Sequence, residues 1–201
     1  MFTPAQYANK DLDEIKDFLA KNSFGILVNQ VDGKPWATHI PLELDLDSDR
    51  NDILVGHIAK ANPQGHHFIE NTQVLCIFNG PHSYVSSSWY KEEEVPTWNY
   101  IAVHVYGTLR IQTEEALLAS LHKLVDKYEQ GSKQPISLAN MSAKTMRQIK
   151  GIIGFEIKIT AIQATYKLSQ GREQDHPKII SELEERENSG SKAIAKCMRK
   201  D

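Results

Sequence analysis

The stretch SFGILVNQVDGKPWATHIPLELDLD, residues 23–47, decides the fold. Residues 24–28 are an apolar run, residues 36–46 form a second, and Asp32-Gly33 lies between them. Asp-Gly suits a tight turn with positive φ, so this reads as a β-hairpin. Further strands are expected over 53–57, 74–78, 100–111 and 154–165. The early strands follow one another without crossover helices, which predicts a mainly antiparallel sheet of Greek-key or barrel-like type. In YIAVHVYGTLRI, residues 100–111, Ile101, Val103 and Val105 share one face while Tyr100, Ala102, His104 and Tyr106 share the other. Both faces are half apolar, as in a strand that covers a core and also borders a ligand or an interface.

Helices flank the sheet. Asp11 is a cap with Glu14 three positions later, and Ile15, Phe18 and Leu19 follow at helical spacing. Thr113 opens a second helix whose Leu117, Leu118, Leu121, Leu124, Val125 and Tyr128 form a stripe ending near Gly131. Others are expected over 141–150, 178–187 and 191–200, with one more beginning at Asn62-Pro63. A chain of 201 residues with 40% hydrophobic content suits one domain over 1–201, with carboxyl-terminal helices from about residue 176.

The net charge of −3 argues against a protein built to hold nucleic acid through phosphate contacts. The basic groups Lys144, Arg147 and Lys150, and Lys192, Lys196, Arg199 and Lys200, are small, and the sequence offers no helix-turn-helix pattern. DNA remains a partner that the sequence does not support. No apolar run reaches membrane-spanning length, and the start lacks the pattern of a signal peptide. With only Cys76 and Cys197, a cytoplasmic setting is expected.

Chemistry-bearing residues gather in three places. GHIAKANPQGHH, residues 56–67, suggests a metal site at first sight. On a helix, however, His66 and His67 diverge by about 100°, and neither HExxH nor CxxC occurs. No metal is expected. The same stretch also reads as an anion site, with Asn62 as cap, Pro63 in the first turn and Lys60 just before it. On local chemistry alone, a plain capped helix start with a solvated lysine is the stronger reading. The second place, residues 80–107, concentrates His82, Tyr84, Trp89, Tyr90, Trp98, Tyr100 and Tyr106, which suits either a pocket or a core. Ser86 to Ser88 lack a nucleophile elbow, and Glu92 to Glu94 read as an exposed hairpin tip. Third, Thr38 and His39 precede Pro41, a residue that marks an edge, a bulge or a strand break.

ATHIPL, GHIAKANPQ, GPHSYVSSSWY, VPTWNYIAVHVYG, GIIGFEI and KLSQ occur in the order seen in the PaiB-like family, which is described as FMN-binding negative transcriptional regulators. The resemblance spans nearly the whole chain. It implies a split β-barrel of the FMN-binding type and a homodimer with FMN at the subunit interface. By this likeness Lys60 and Asn62 grip the phosphate, while His57, Ile58 and Ala59 pass along the ring or ribityl chain. Thr38 and His39 meet the ring. Trp98, Asn99 and Tyr100 close the site from the partner subunit, and Lys167 and Gln170 of KLSQ contact it late in the chain.

Two positions depart from the family pattern: Gly65, where an aromatic or basic residue is common, and Gly171, where asparagine is common. Gly65 is expected to weaken the helix by up to about 1 kcal/mol relative to alanine, and flavin affinity with it. The resemblance favours a regulator with flavin as ligand or redox sensor. The alternative is a flavin-dependent oxidoreductase acting on a small aromatic or tetrapyrrole substrate, with His82, Tyr84 and Tyr100 as candidate proton donors.

Overall fold

The computed structural model describes residues 1–199. Its strands are β1 (Ala8–Asn9), β2 (Phe24–Val31), β3 (Lys34–Pro41), β4 (Glu43–Leu46), β5 (Asp52–Ala59), β6 (Thr72–Val85), β7 (Thr97–Ile111) and β8 (Ile152–Lys167). Its helices are α1 (Leu12–Lys21), α2 (Glu114–Glu129), α3 (Ala143–Met146), α4 (His176–Glu185) and α5 (Ser189–Met198). The chain forms two compact units. The hairpin unit comprises Leu19–Ile77 and Val105–Ile162; the terminal unit comprises Met1–Phe18, Phe78–His104 and the segment from Gln163 onward. β6, β7 and β8 each contribute a segment to both.

In the hairpin unit the turn is the one the sequence specifies. Asp32 and Gly33 have φ of 50° and 76°, and β2 and β3 pair antiparallel from Val31↔Lys34 to Phe24↔Pro41. Two positive φ values match the right-handed twist of the flanking strands. The expected single run over 36–46 is two strands: β3 stops at Pro41, and the amide of Leu42 turns away to donate to the Ser23 carbonyl at 2.8 Å. Leu42 is fully buried there.

The strand order β3-β2-β6-β7-β8-β5-β4 is an open path, not a closed ring. β5 pairs with β8, from Ile53↔Lys158 to Ala59↔Ile152, although β6 and β7 intervene between them in the chain. Consecutive β6, β7 and β8 with β5 beside β8 constitute a Greek key. The mainly antiparallel sheet with flanking helices is therefore as expected. Helix α2 begins at Thr113, whose hydroxyl accepts from the Ala116 amide at 3.2 Å. Its far half is tied to β4 by Lys123–Asp45 and Lys127–Glu43, both 2.6 Å. Leu117, Leu121 and Leu138 form a satellite core with Val125, Met141, Met146, Ile149 and Ile152 around them.

In the terminal unit, Asp11 caps α1 through bonds from the amides of Asp13 and Glu14. β1 pairs with the end of β8, Ala8↔Thr165. Helices α4 and α5 bury Ile179, Leu183, Ile194, Ala195 and Met198. They begin two residues earlier than the apolar pattern indicates, and residue 200 of the expected last helix lies outside the described residues. The strand expected over 74–78 continues to Val85, through Gly80 and Pro81. A Cβ at Gly80 would approach Phe18 Cε2 to 2.7 Å, so glycine here serves close packing and does not end the strand.

Candidate functional site

In the hairpin unit, the site grows from the end of β5. His57 is half-buried, Ile58 is buried, and Ala59 and Lys60 are exposed. Burial holds the His57 imidazole below its ordinary range, so the ring is neutral at pH 7. The chain then turns: the Asn62 amide donates to the Ala59 carbonyl at 2.9 Å, and the Lys60 amide donates to Gly151 at 2.8 Å. Asn62 Oδ1 accepts from the Gln64 amide at 3.0 Å, with Pro63 following, so Asn62 is a cap as the sequence indicates.

What Asn62 caps is a single 3-10 turn, Pro63–His67, not the expected α-helix. The physical reason lies just beyond it. Phe68 is buried edge-on against Phe155 at 5.4 Å between centroids, which draws the chain inward after one turn. One turn supplies little aligned dipole for an anion, so the charge at this place is that of Lys60. Gly65 also changes meaning. A Cβ there would come within 2.9 Å of Ile153 Cδ1 and 3.2 Å of Ile58 Cδ1, so the glycine serves packing and is not a helix weakener.

Three side chains fix the turn to the hairpin. Asn62 Nδ2 donates to Thr38 Oγ1 at 3.0 Å, and the Thr38 hydroxyl donates to Gln64 Oε1. Gln64 Nε2 in turn donates to the Leu27 carbonyl at 3.2 Å and to Asn29 Oδ1 at 3.0 Å. Gln64, which sequence reasoning missed, is 0% exposed. Its only signal was a long polar side chain directly after a cap and a proline. Thr38 and Asn62, both expected in the site, are thus in direct contact. His39, next to Thr38, is exposed and stacks on Phe24 with centroids 6.4 Å apart. The Lys60 side chain lines a pocket of about 690 Å³ together with Lys150.

In the terminal unit, Trp98 is 53% exposed and carries His82 at 5.6 Å and Tyr84 at 6.1 Å between ring centroids. Tyr100 is half-buried. Asn99 is fully buried: its Nδ2 donates to Ser169 Oγ at 2.9 Å, and the Ser169 hydroxyl lies 3.2 Å from Asn99 Oδ1. Its side chain is engaged inside its own unit. Lys167 bonds to Thr97 and lies 5.6 Å from the Tyr7 ring centre. Gln170 folds back on its own turn, accepting from the Leu168 amide at 2.8 Å and donating to the Tyr166 carbonyl at 2.6 Å. That turn places Ser169 at φ 63°. Among the described residues no group of three histidine, cysteine or acidic side chains could hold a metal ion, and no helix is long and apolar enough to cross a membrane.

Comparison with known proteins agrees with the fold. The model of the family described as "Putative FMN-binding domain" matches residues 1–161. The chain is 42% identical to "Protease synthase and sporulation protein PAI 2" of Bacillus subtilis over 98% of this chain and 96% of that one. It is also 30% identical to an uncharacterized protein of Emericella nidulans over 99% and 96% of the two chains. Among solved structures, the FAD and heme binding protein of Mycobacterium smegmatis superposes with a TM-score of 0.63 at 16% identity, covering 80% of this chain and 73% of that one. The flavocytochrome Anf3 of Azotobacter vinelandii gives 0.63 at 16%, covering 85% and 75%. These two share the fold. On the family match and the near-complete alignment to PAI 2, the chain belongs to the FMN-binding domain family.

Proposed function

We propose that this chain binds FMN at the end of β5, as a homodimer, and that the flavin is the ligand or redox signal of a PaiB-like regulator. The observation that carries the reading is Lys60, exposed beside an Asn62–Thr38 pair already fixed in place. The donor chemistry fits the phosphate. Lys60 supplies a full positive charge, and Asn62, with one N–H on Thr38, retains the other for a phosphate oxygen. The network through Gln64 holds that amide in position before any ligand arrives, which lowers the ordering cost of binding. His57, Ile58 and Ala59 line the approach along β5, and Thr38 with His39 on β3 meets the ring. Trp98 and Tyr100 of one protomer close the site of the other, with Asn99 holding β7 in place through Ser169, while Lys167 contacts the flavin and Gln170 holds the turn that follows it. Bound FMN supplies reversible electron transfer, the property a redox sensor requires.

The test is titration of FMN into the purified protein, followed by quenching of flavin fluorescence and by sedimentation. Saturable quenching by a dimer is expected at micromolar flavin, and its absence rules the proposal out. Lys60→Ala weakens binding by about 10- to 100-fold. Asn62→Asp keeps the cap but sets a carboxylate against the phosphate, so it loses FMN while remaining folded.

The tilted and edge-on contacts of His82 and Tyr84 with Trp98 favour one second reading, an oxidoreductase for a small aromatic or tetrapyrrole substrate, in which His82, Tyr84 or Tyr100 moves a proton. Reduction of FMN in the complex by NADH or NADPH, with turnover lost in Tyr84→Phe, supports it. A nicotinamide-inert complex argues for the sensor. A third possibility, direct DNA binding without flavin, calls for a gel shift that survives non-specific competitor.

A further inference from the structure

We infer that the hairpin unit carries a second ligand site, a pocket for an aromatic hydroxy acid, that lies beside the phosphate grip at Asn62 and Thr38 and shares Lys60 with it. The pocket encloses about 690 Å³, within the usual range of about 300–1,000 Å³ for small-molecule sites. Its walls are apolar, from Leu117 and Leu118 of α2, Met146 and Ile149 of the segment after Ser142, and Ile153 of β8.

Two features show that the pocket is more than a gap. The first is Gln112. Its amide donates to the Gly154 carbonyl at 3.0 Å, and its Nε2 donates to Ser120 Oγ at 3.0 Å, which bonds on to the Ala116 carbonyl. The side-chain amide is therefore held in one orientation, and its Oε1 is left buried without a hydrogen-bond partner. A buried acceptor with no donor costs about 1–3 kcal/mol, and a ligand hydroxyl would relieve that cost. The second is Gly154. A Cβ there would stand 2.9 Å from Gln112 Oε1 and 2.6 Å from Leu117 Cδ1. Glycine lets the Leu117 side chain close over Oε1, so a ligand hydroxyl reaches the acceptor by turning aside that flexible tip.

Charge defines the other end of the ligand. Lys150 lines the pocket and is exposed. Glu114, which lines it as well, is the acid a bound anion must avoid, so the carboxylate belongs with Lys150. Lys60 also lines the pocket but is committed to the phosphate. An apolar wall, one acceptor and the ammonium of Lys150 together call for a flat apolar body with a hydroxyl at one end and a carboxylate at the other.

The probes are 6-hydroxy-2-naphthoate, 2-naphthoate and 2-naphthol, titrated by calorimetry into the full-length protein with and without FMN. Tightest binding is expected for the hydroxy acid, with about a tenfold loss when either polar group is absent, the value of one hydrogen bond or ion pair. Lys150→Met keeps the stem and is expected to weaken both acids while leaving 2-naphthol and FMN unchanged. Gly154→Ala fills the cradle and weakens the hydroxylated probes. Should that variant misfold, Gln112→Met, which removes the acceptor, gives the same discrimination. Absence of saturable binding at millimolar probe, equal affinity for all three, or an unaffected Lys150→Met variant would each overturn the inference. One-for-one displacement by FMN would overturn the separateness of the pocket without touching FMN binding. Loss of FMN binding with naphthoate binding intact would sink the flavin reading alone.

Discussion

Lys60 is the residue on which flavin binding turns, because the 3-10 turn beside it has almost no dipole of its own to offer. Replacing its ammonium with a methyl is expected to weaken FMN by about 10- to 100-fold, the range for a charge-assisted bond of about 1.5–3 kcal/mol. Lys60→Arg retains most of the affinity. Fluorescence titration separates the two variants. His57 makes a different prediction. Its folded-state pKa is lowered by burial, so the unfolded chain binds the extra proton more readily. The stability owed to neutral His57 is complete above its unfolded value of about 6.5 and is lost as pH falls through the folded one. A His57→Gln variant is expected to show a flatter melting temperature between neutral and mildly acidic pH than the parent, measured by circular dichroism. At this scale the sequence revealed what local rules govern. Asn62 as a cap and Lys60 beside it could be read directly, whereas burial of Gln64 depends on Leu27 and Asn29 across the fold.

At the level of elements, strand and turn signals were clearest where the backbone itself is constrained. The Asp32-Gly33 turn needs two positive φ values, and only a few residue types supply them. Gly33→Ala keeps open space around the Cβ but strains the backbone, for an expected cost of about 1–2 kcal/mol in chemical denaturation. Gly65 tests the reassigned role of a glycine. Helix propensity says Gly65→Ala should stabilise by up to about 1 kcal/mol. The 2.9 Å approach to Ile153 says it should destabilise by about 1 kcal/mol, the low end for overpacking, since an isoleucine tip can yield. The sign of the measured change decides between them. Helix length after Asn62 was illegible because Phe68 ends the turn by entering a core that sequence does not display. The same holds for the segment after Ser142, where the expected helix is one short α-turn, Ala143–Met146, followed by a 3-10 turn, Arg147–Gly151.

For the whole molecule, the class of fold was readable from strand succession, but the β5–β8 pairing that makes the Greek key was not, because it joins segments about a hundred residues apart. If FMN binds only the folded chain, a hundredfold excess over its dissociation constant adds about 2.7 kcal/mol to stability. A rise in melting temperature with FMN, much smaller in Lys60→Ala at the same FMN concentration, is the expected result in differential scanning calorimetry. The open order of the sheet has one more consequence. β3 stands at the end of the path, and a terminal strand offers its free amides and carbonyls to any extended chain that meets it. Lys34 and Pro35 both lie exposed on that strand, the one repelling approach by charge and the other removing a donor. They guard that edge against strand addition, and Lys34→Val with Pro35→Val is expected to raise aggregation, read by light scattering.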